Sequence, residues 1–431
     1  MVRGGCKGGR ITLGSGIDPR TPPPIWAAMT DGFIPTRTAA LERLAAFVPH
    51  AGRDYAAKRN FDLGAGGHVH VSGLSPYLRC RLLTEAEVLQ AVLARHSPRS
   101  TEKFVQEVFW RTYWKGWLAL RPGVWTQYRT ALSQAWNDVQ TQSGLRSRWE
   151  QACHGATGID CFDAWAQELV ATGYLHNHAR MWFASIWIFT LKLPWELGAD
   201  FFLRHLLDGD PASNTLGWRW VAGIQTPGKT YLARASNIAK FTKDRFHPKW
   251  QLASEALPVP GLPVPDPGAL PVPETADPTA RIGFLLHEED LSPSFALEGL
   301  SPQACAVLRP QTDIGPLQMA PQVHRFRAAA QDDVLARYAD RFPQVTSVTT
   351  AEDVMAWATK KGVEQIVTCH APTGPVAAVF SDLQRNTTDI RLHQIMRPYD
   401  QMTWPHATRG FFAFKKKIPS FLSELSLPHA A

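Results

Sequence analysis

The sequence predicts two domains, an all-α helical one followed by a Rossmann-like α/β one. Three observations predict it. A chain of 431 residues is too long for one ordinary core. Residues 51–255 carry dense helical patterning and no convincing strand, whereas strand-like and helix-like stretches alternate over residues 281–431. Between them, Leu257 to Pro278 holds eight prolines. Proline fixes φ and removes a donor, so residues 256–280 read as an extended, semi-rigid linker.

Residues 1–50 form a Gly/Pro-rich tail and a lead-in helix, Arg37 to Phe47. The basic start MVRGGCKGGR lacks the apolar core of a signal peptide and reads as a loose tail; a mitochondrial presequence is the weaker alternative, because glycine opposes the helix one needs. Thr84 and Glu87 form a capping box that opens a helix through Ala94. Further helices are predicted at Thr101–Leu120, at Asp163–Thr172 with a stop at Gly173, at His176–Lys192 and at Ala199–Leu207. Asp208 to Trp220 reads as a polar loop running into two tryptophans. Beyond the linker the pattern gives a strand (Ile282–Leu286), a helix (Met319–Arg341), a helix capped by Thr350 (Ala351–Lys361), a strand (Gln365–Cys369), a helix (Gly374–Gln384) and a strand (Ile390–Ile395). A mostly parallel sheet is expected, without a GxGxxG or Walker loop.

Composition is that of a globular chain, 45% hydrophobic and 19% charged, with no apolar run long enough to cross a membrane. A net charge of +7 permits an anionic partner such as DNA without requiring one. The six cysteines are scattered without a CxxC pair, which speaks against a zinc site, an iron–sulfur cluster or a disulfide framework and fits a reducing cytoplasm; no metal site is expected. Sixteen tryptophans admit two readings, packing mass or a set of stacking surfaces and electron carriers.

Three clusters hold the candidate chemistry. Glu107, Trp110, Arg111 and Trp114 fall at 0, +3, +4 and +7 and share one helix face, with Val105, Val108, Phe109 and Thr112 on the packing stripe. An i,i+4 ion pair beside packing indoles is the plain alternative. Asn177, Arg180, Met181 and Ala184 share a second face; His176 and His178, two apart, are poorly placed to bind one metal on a helix and read equally as structural or solvated. Asp208, Asp210 and Asn214 precede Trp218 and Trp220; an EF-hand-like loop is the rival, and its later ligand positions are missing.

These clusters occur in the order and spacing of DNA photolyases and cryptochromes. Gly73-Leu-Ser-Pro-Tyr-Leu78 resembles the family's RLSPYL, Glu107-Val-Phe-Trp-Arg111 its E-x-x-W-R helix, His176-Asn177 through Arg180-Met181 its H-N-x-x-R-M, and Asp208 through Trp220 its D-G-D-x-x-x-N-x-x-G-W-x-W. The stretches Gly228–Arg234 and Asn237–Thr242 are similar to a bacterial photolyase-like branch.

The resemblance implies a photolyase-type helical domain holding FAD. Ser72, Leu74 and Ser75 would hold its phosphates, and Arg111 and Asn177 would also lie against the cofactor. Asp208 and Asp210 would meet the ribityl or flavin edge, Arg180 would pair with Asp208, and Asn214 would face flavin N5. Glu107 and Asn177 would hydrogen-bond a flipped-out pyrimidine dimer in DNA, with Trp110, Met181 and Trp220 walling it; Glu107, Asn177 and Asn214 are the expected catalytic set. Trp218, Trp195 and Trp136 would carry electrons inward from solvent. Asn177 and Met181 match the cyclobutane-dimer pattern, where eukaryotic (6-4) photolyases carry histidines. Gly73 replaces the family's arginine, and Arg79 or Arg81 is the candidate replacement. Family members begin with the α/β antenna domain; here it follows, so the chain reads as circularly permuted, with Arg281–Leu291 similar to the usual first strand and turn. No motif supports an antenna pigment. The implied activity is a light-driven deoxyribodipyrimidine photo-lyase, a cytoplasmic monomer; a cryptochrome-like photoreceptor is the alternative, and a DNA-binding flavoprotein without a light reaction a third.

Overall fold

The computed structural model describes residues 32–310, 315–386 and 390–427. The expected tail, residues 1–31, lies outside them. The helical part opens with α1 (Arg37–Phe47), whose first turn is held by the Thr36 hydroxyl accepting from the Ala39 N–H, followed by α2 (Arg53–Lys58) and α3 (Ser75–Arg79). α4 (Glu85–Leu93) starts at the expected capping box, in which the Thr84 N–H donates to the Glu87 carboxylate at 2.8 Å. α5 (Pro98–Ala119) begins three residues earlier than the sequence predicts, because Ser97 caps it and Pro98 fits the first turn, where no donor is needed. α6 (Gly123–Thr141) and α7 (Ser143–His154) were not anticipated. α8 (Asp160–Thr172) stops at Gly173, φ +69°. α9 (Asn177–Ser185) runs on as a π-helical turn over Ile186–Thr190, and α10 (Trp195–His205), α11 (Pro211–Val221) and α12 (Ala235–Phe241) complete this part.

One expectation is corrected here. Asp208 to Trp220 is not a loop but chiefly α11. Asp210 caps the helix by accepting from the Ser213 N–H at 2.8 Å, and Pro211 fits the first turn. The acid–proline pair is a helix start, and its polarity disguised it.

The proline-rich stretch contains neither helix nor strand, and it is laid onto the helical part. The Val259 N–H donates to the Ala222 carbonyl (3.0 Å), the Gly268 N–H to the Leu120 carbonyl (2.8 Å), and Arg121 Nε to the Pro265 carbonyl (2.9 Å).

Then come β1 (Ile282–Leu286), β2 (Ala304–Leu308), α13 (Pro321–Arg337), β3 (Thr346–Val348), α14 (Ala351–Lys360), β4 (Gln365–Cys369), α15 (Pro375–Asn386) and β5 (Arg391–Ile395). The five strands form one sheet in the order β3-β2-β1-β4-β5, every neighbouring pair parallel. Burial on both faces explains why β1 and β2 are short unalternating apolar runs; β2, and β3 with only three residues, were not anticipated. Three further unanticipated helices, α16 (Pro398–Thr403), α17 (Phe411–Lys415) and α18 (Ile418–Glu424), return to the helical part, where the Tyr399 hydroxyl meets that of Thr112 at 2.8 Å.

The two parts are locked by buried charge. The loop after β1 brings Glu288, Glu289 and Asp290 against the α3–α4 segment. Arg79 reaches Glu289 at 2.8 Å and Glu288 at 3.2 Å; Arg81 binds Asp400 through both Nη atoms at 2.6 and 2.7 Å and Asp290 at 3.1 Å. Arg397 and Arg327 complete the set, on Asp290 (2.7 Å) and Glu288 (2.8 Å). Arg81 holds φ +53°, a left-handed conformation uncommon for a side-chain-bearing residue. Arg79 and Arg81 are therefore engaged at this contact, and neither replaces the arginine missing at Gly73.

Arg81→Met should destabilise the protein by about 3–5 kcal/mol in urea unfolding, because Asp290 and Asp400 lose a buried partner; a loss below about 1 kcal/mol contradicts the role given to this contact. Acid should act in the same direction. For Glu85, Glu289 and Asp290 burial raises the carboxyl pKa, but the adjoining cations outweigh it and hold each below its ordinary value. Their stabilisation is complete above the unfolded-state pKa of about 4 and is lost as pH falls through the depressed folded values. Asp400, raised by burial and by Glu85, opposes them as a single group. Urea midpoints measured downward from pH 5 should fall in the parent and fall less in Arg81→Met.

Candidate functional site

A cavity of about 1170 Å³ opens into the helical part between α3, α5, α9 and α11. The periodicity of α5 places Glu107, Trp110, Arg111 and Trp114 on its wall, while Val105, Phe109 and Thr112 are buried on the packing side. Ser72, Leu74, Ser75, Asn177, Arg180, Met181, Asp208, Asp210, Asn214, Trp218 and Trp220 also line it. Trp195 and Trp136 do not.

Arg180 donates from Nη2 to Asp208 at 2.9 Å, and its Nε is held by the Leu175 carbonyl at 2.8 Å. The other Asp208 oxygen, Oδ1, is buried without a hydrogen-bond partner. Buried carboxylate oxygens are rarely left so, and this one offers an acceptor to a bound group. Asn214 donates its amide N–H to the Ala199 carbonyl at 2.8 Å, which fixes the amide and leaves its oxygen as the acceptor. Asp210 is engaged otherwise: besides capping α11, it lies 3.4 Å from Lys115 Nζ and 3.8 Å from Arg111. Burial raises its pKa, but Lys115, Arg111 and Arg79 outweigh it and hold the carboxyl far below the usual range. Lys115 is itself buried and lies 3.7 Å from Glu289, so the cap of α11 is tied to the α/β part.

The Ser72 hydroxyl accepts from the Leu74 N–H at 3.3 Å, so that N–H is already engaged within the segment. Gly73 has φ +60°, and a Cβ there would stand 2.8 Å from Nη1 of Arg43, on α1. A guanidinium thus occupies the space beside Gly73, supplied by an element the motif does not include.

At the mouth, Glu107 is half-exposed, with Arg59 Nε at 3.7 Å; burial raises its pKa and Arg59 only partly offsets this. Asn177 is exposed at the first position of α9, and Met181 follows one turn on. Trp110 lies face to face with Phe411 at 3.6 Å, and Trp220 stacks on Tyr231 at 5.5 Å. Trp218 is buried, with Phe202 at 5.1 Å and Trp187 at 6.2 Å. Trp187 was missed, since nothing in the sequence separates it from the other tryptophans. Trp195 meets Tyr128 at 5.6 Å and Trp136 meets Trp149 at 5.2 Å; neither has a ring contact with Trp218 among the described residues. His176 accepts the His178 N–H at 3.1 Å, and burial lowers its pKa to about 4; His178 stacks on Trp182 at 4.0 Å. Both are built into the fold. Arg59, Asn60 and Arg234 line the cavity without having been anticipated.

Residues 104–256 match the family model of the FAD binding domain of DNA photolyase. The chain carries a photolyase-type FAD-binding domain. It is 32% identical over 248 residues to a deoxyribodipyrimidine photo-lyase of Synechococcus sp., covering 52% of this chain and 49% of that protein. Its likeness to those of Thermus thermophilus (34% over 216 residues, 46% and 45% covered) and Escherichia coli (30% over 210 residues, 47% and 42%) is similar in extent. The chain spans about half the length of the curated relatives it matches. Among solved structures it is similar to a class III photolyase from Agrobacterium tumefaciens (30% identity, TM-score 0.41, 48% and 43% covered) and to a Synechocystis cryptochrome (25%, TM-score 0.39, 50% and 45%). No helix among the described residues is long and apolar enough to cross a membrane.

The residues of the photolyase-type domain fit FAD. The cavity exceeds the roughly 1,000 Å³ usual for small-molecule sites, and the unpartnered Asp208 oxygen, the Arg180 guanidinium and the Asn214 oxygen offer both acceptors and a cation. Asp208→Ala should therefore weaken FAD binding by about tenfold or more, read from flavin retained on purification and by titration; undiminished retention contradicts the assignment. Gly198→Ala should lower the melting temperature and alter tryptophan emission, because its Cβ would stand 2.3 Å from Trp218 Cη2; a cost of about 1–3 kcal/mol is expected.

Proposed function

We propose that the protein is a light-dependent DNA-repair lyase that splits ultraviolet-induced pyrimidine dimers, of the cyclobutane type, using FAD. The observation that carries this reading is a single cavity lined both by Arg180, Asp208 and Asn214 and by Glu107, Asn177, Trp110, Met181 and Trp220. Held by Arg180, Asp208 and Asn214, reduced FAD would supply a light-driven electron and recover it, so no net oxidant would be needed.

The chain's own residues supply binding and orientation. Arg180, held by Asp208, would offer the cofactor a cation, and the Asn214 oxygen would offer it an acceptor. Glu107, with its raised pKa, donates to a base carbonyl when protonated and accepts a base N–H when ionised. Asn177 contributes amide hydrogen bonds but no acid at neutral pH, which favours the cyclobutane lesion over the (6-4) one. Trp110, Met181 and Trp220 cover the apolar faces of the extruded bases, and a damaged pair is the least costly to extrude. Ser72 and Ser75, on the cavity wall, suit the cofactor's phosphates. Trp218, on the cavity wall, would carry electrons to the cofactor, with Trp195 and Trp136 away from the cavity; Trp187 adds a ring beside Trp218. The partner is DNA and the setting a cytoplasmic monomer. The sheet following the FAD domain, docked by the loop after β1, supports a circularly permuted family order.

Gly73 lacks the charge expected near the phosphates or the DNA, and the Arg43 guanidinium lies beside it. The test is blue light on the reduced protein with ultraviolet-irradiated oligothymidine. The parent should remove dimers, and Glu107→Ala should do so at least about tenfold more slowly with its FAD retained. A flavin-loaded parent that leaves dimers intact refutes the repair reading. Trp218→Phe should slow photoreduction of oxidised flavin; an unchanged rate places the electron path elsewhere.

A further inference from the structure

α17 and its flanks lie beside the cavity and take no part in the chemistry above. Phe411, its first residue, stacks on Trp110 at the cavity wall, and Lys415, its last, pairs with Glu102 at 3.1 Å. Phe411 and Lys415 meet Trp110 and Glu102 in the reverse of their order on α5, so α17 runs antiparallel to that helix. The next residue, Phe412, turns outward and is 80% exposed. Arg409, Lys416 and Lys417 are exposed around it and pair with no carboxylate among the described residues. An isolated surface lysine is ordinary. A largely exposed phenylalanine among three unpaired cations, on a helix whose preceding residue, Phe411, lies face to face on Trp110, is a different object. Such a combination matches a nucleic-acid strand, which offers phosphates at regular spacing and bases or sugars for a ring to lie against.

We propose that Arg409 to Lys417 forms a second DNA contact at the rim of the cavity, and this rests on the repair reading. Arg409, Lys416 and Lys417 meet backbone phosphates flanking the lesion, and Phe412 lies against a base or sugar of the strand from which the lesion is extruded. The Phe411–Trp110 stack ties the two sites together, so that a strand seated on α17 delivers its damaged step to Glu107 and Trp110.

The test uses the full-length, FAD-loaded protein and duplexes with and without one thymine dimer, followed by fluorescence anisotropy over a salt series. Lys416→Ala with Lys417→Ala should reduce the slope of log affinity against log salt by about two and weaken both duplexes alike. Phe412→Ala should weaken the damaged duplex by about tenfold with an unchanged slope. Flavin content and melting temperature should stay at the parent's values in all variants, which separates lost contact from lost fold. A parent that binds and repairs the damaged duplex while the lysine variants keep its affinity and slope overturns the patch alone. A parent that neither binds nor repairs overturns the repair reading and the patch with it. Sedimentation covers the other occupant: a concentration-dependent dimer of the parent abolished by Phe412→Ala would assign the face to a second copy and overturn the DNA assignment.

Discussion

Charge buried between the two parts of the chain is the constraint to which the rest of the structure answers. Arg79, Arg81 and Lys115 on the helical side are withdrawn from water, as are Glu288, Glu289 and Asp290 on the loop after β1. Either set alone would be a group of desolvated ions, and an uncompensated buried charge costs several kcal/mol. Each set is therefore compensated in part by the other across the contact. The left-handed backbone at Arg81 shows the same dependence, since the bonds to Asp400 and Asp290 hold a conformation that local preference disfavours.

The network reaches the cavity at the start of α11, where Arg79 also donates to the Gly209 carbonyl at 2.8 Å. Lys115 lies between Glu289, on the α/β part, and Asp210, the cap of α11. α11 carries Asn214, Trp218 and Trp220, so the position of three cavity residues depends on a cap whose charge is balanced from across the domain contact. The wall formed by α5 is braced by α16 on its packing side and by α17 at Trp110, segments that arrive after the last strand. A site built almost wholly from residues 55–256 is thus held in shape by residues beyond 280. The proline-rich segment serves the same end: its carbonyls and N–H groups are bound to residues 120–121 and 222, so it crosses the helical part as a strap.

Much of this was legible because it is local. The capping box at Thr84, the stop at Gly173, the cap at Thr350 and the single face shared by Glu107, Trp110, Arg111 and Trp114 are relations within four residues or fewer, or repeats of them. Hydrogen-bond geometry and the helical repeat dictate these wherever the helix is placed. The cavity-lining residues named from motifs lie together for the same reason, each group being carried rigidly by one helix. Local reading failed where polarity misled it. Asp208 and Asp210 looked like loop acids, yet Asp210 was a cap, and the short buried strands β2 and β3 have no alternation to betray them.

By itself, then, the sequence determined which side chains share a helix face, where the capped helices at Thr84 and Thr350 begin and the one before Gly173 ends, and that a helical part precedes an α/β part. Tertiary structure decided which distant groups meet. It put Arg43 beside Gly73, consumed Arg79 and Arg81 at the domain contact, set Trp187 rather than Trp195 against the ring of Trp218, and laid Phe411 on Trp110 across 300 residues of chain. Spacing cannot encode such pairs: a charge or a ring accepts many partners, and packing alone selects the one that ends within reach.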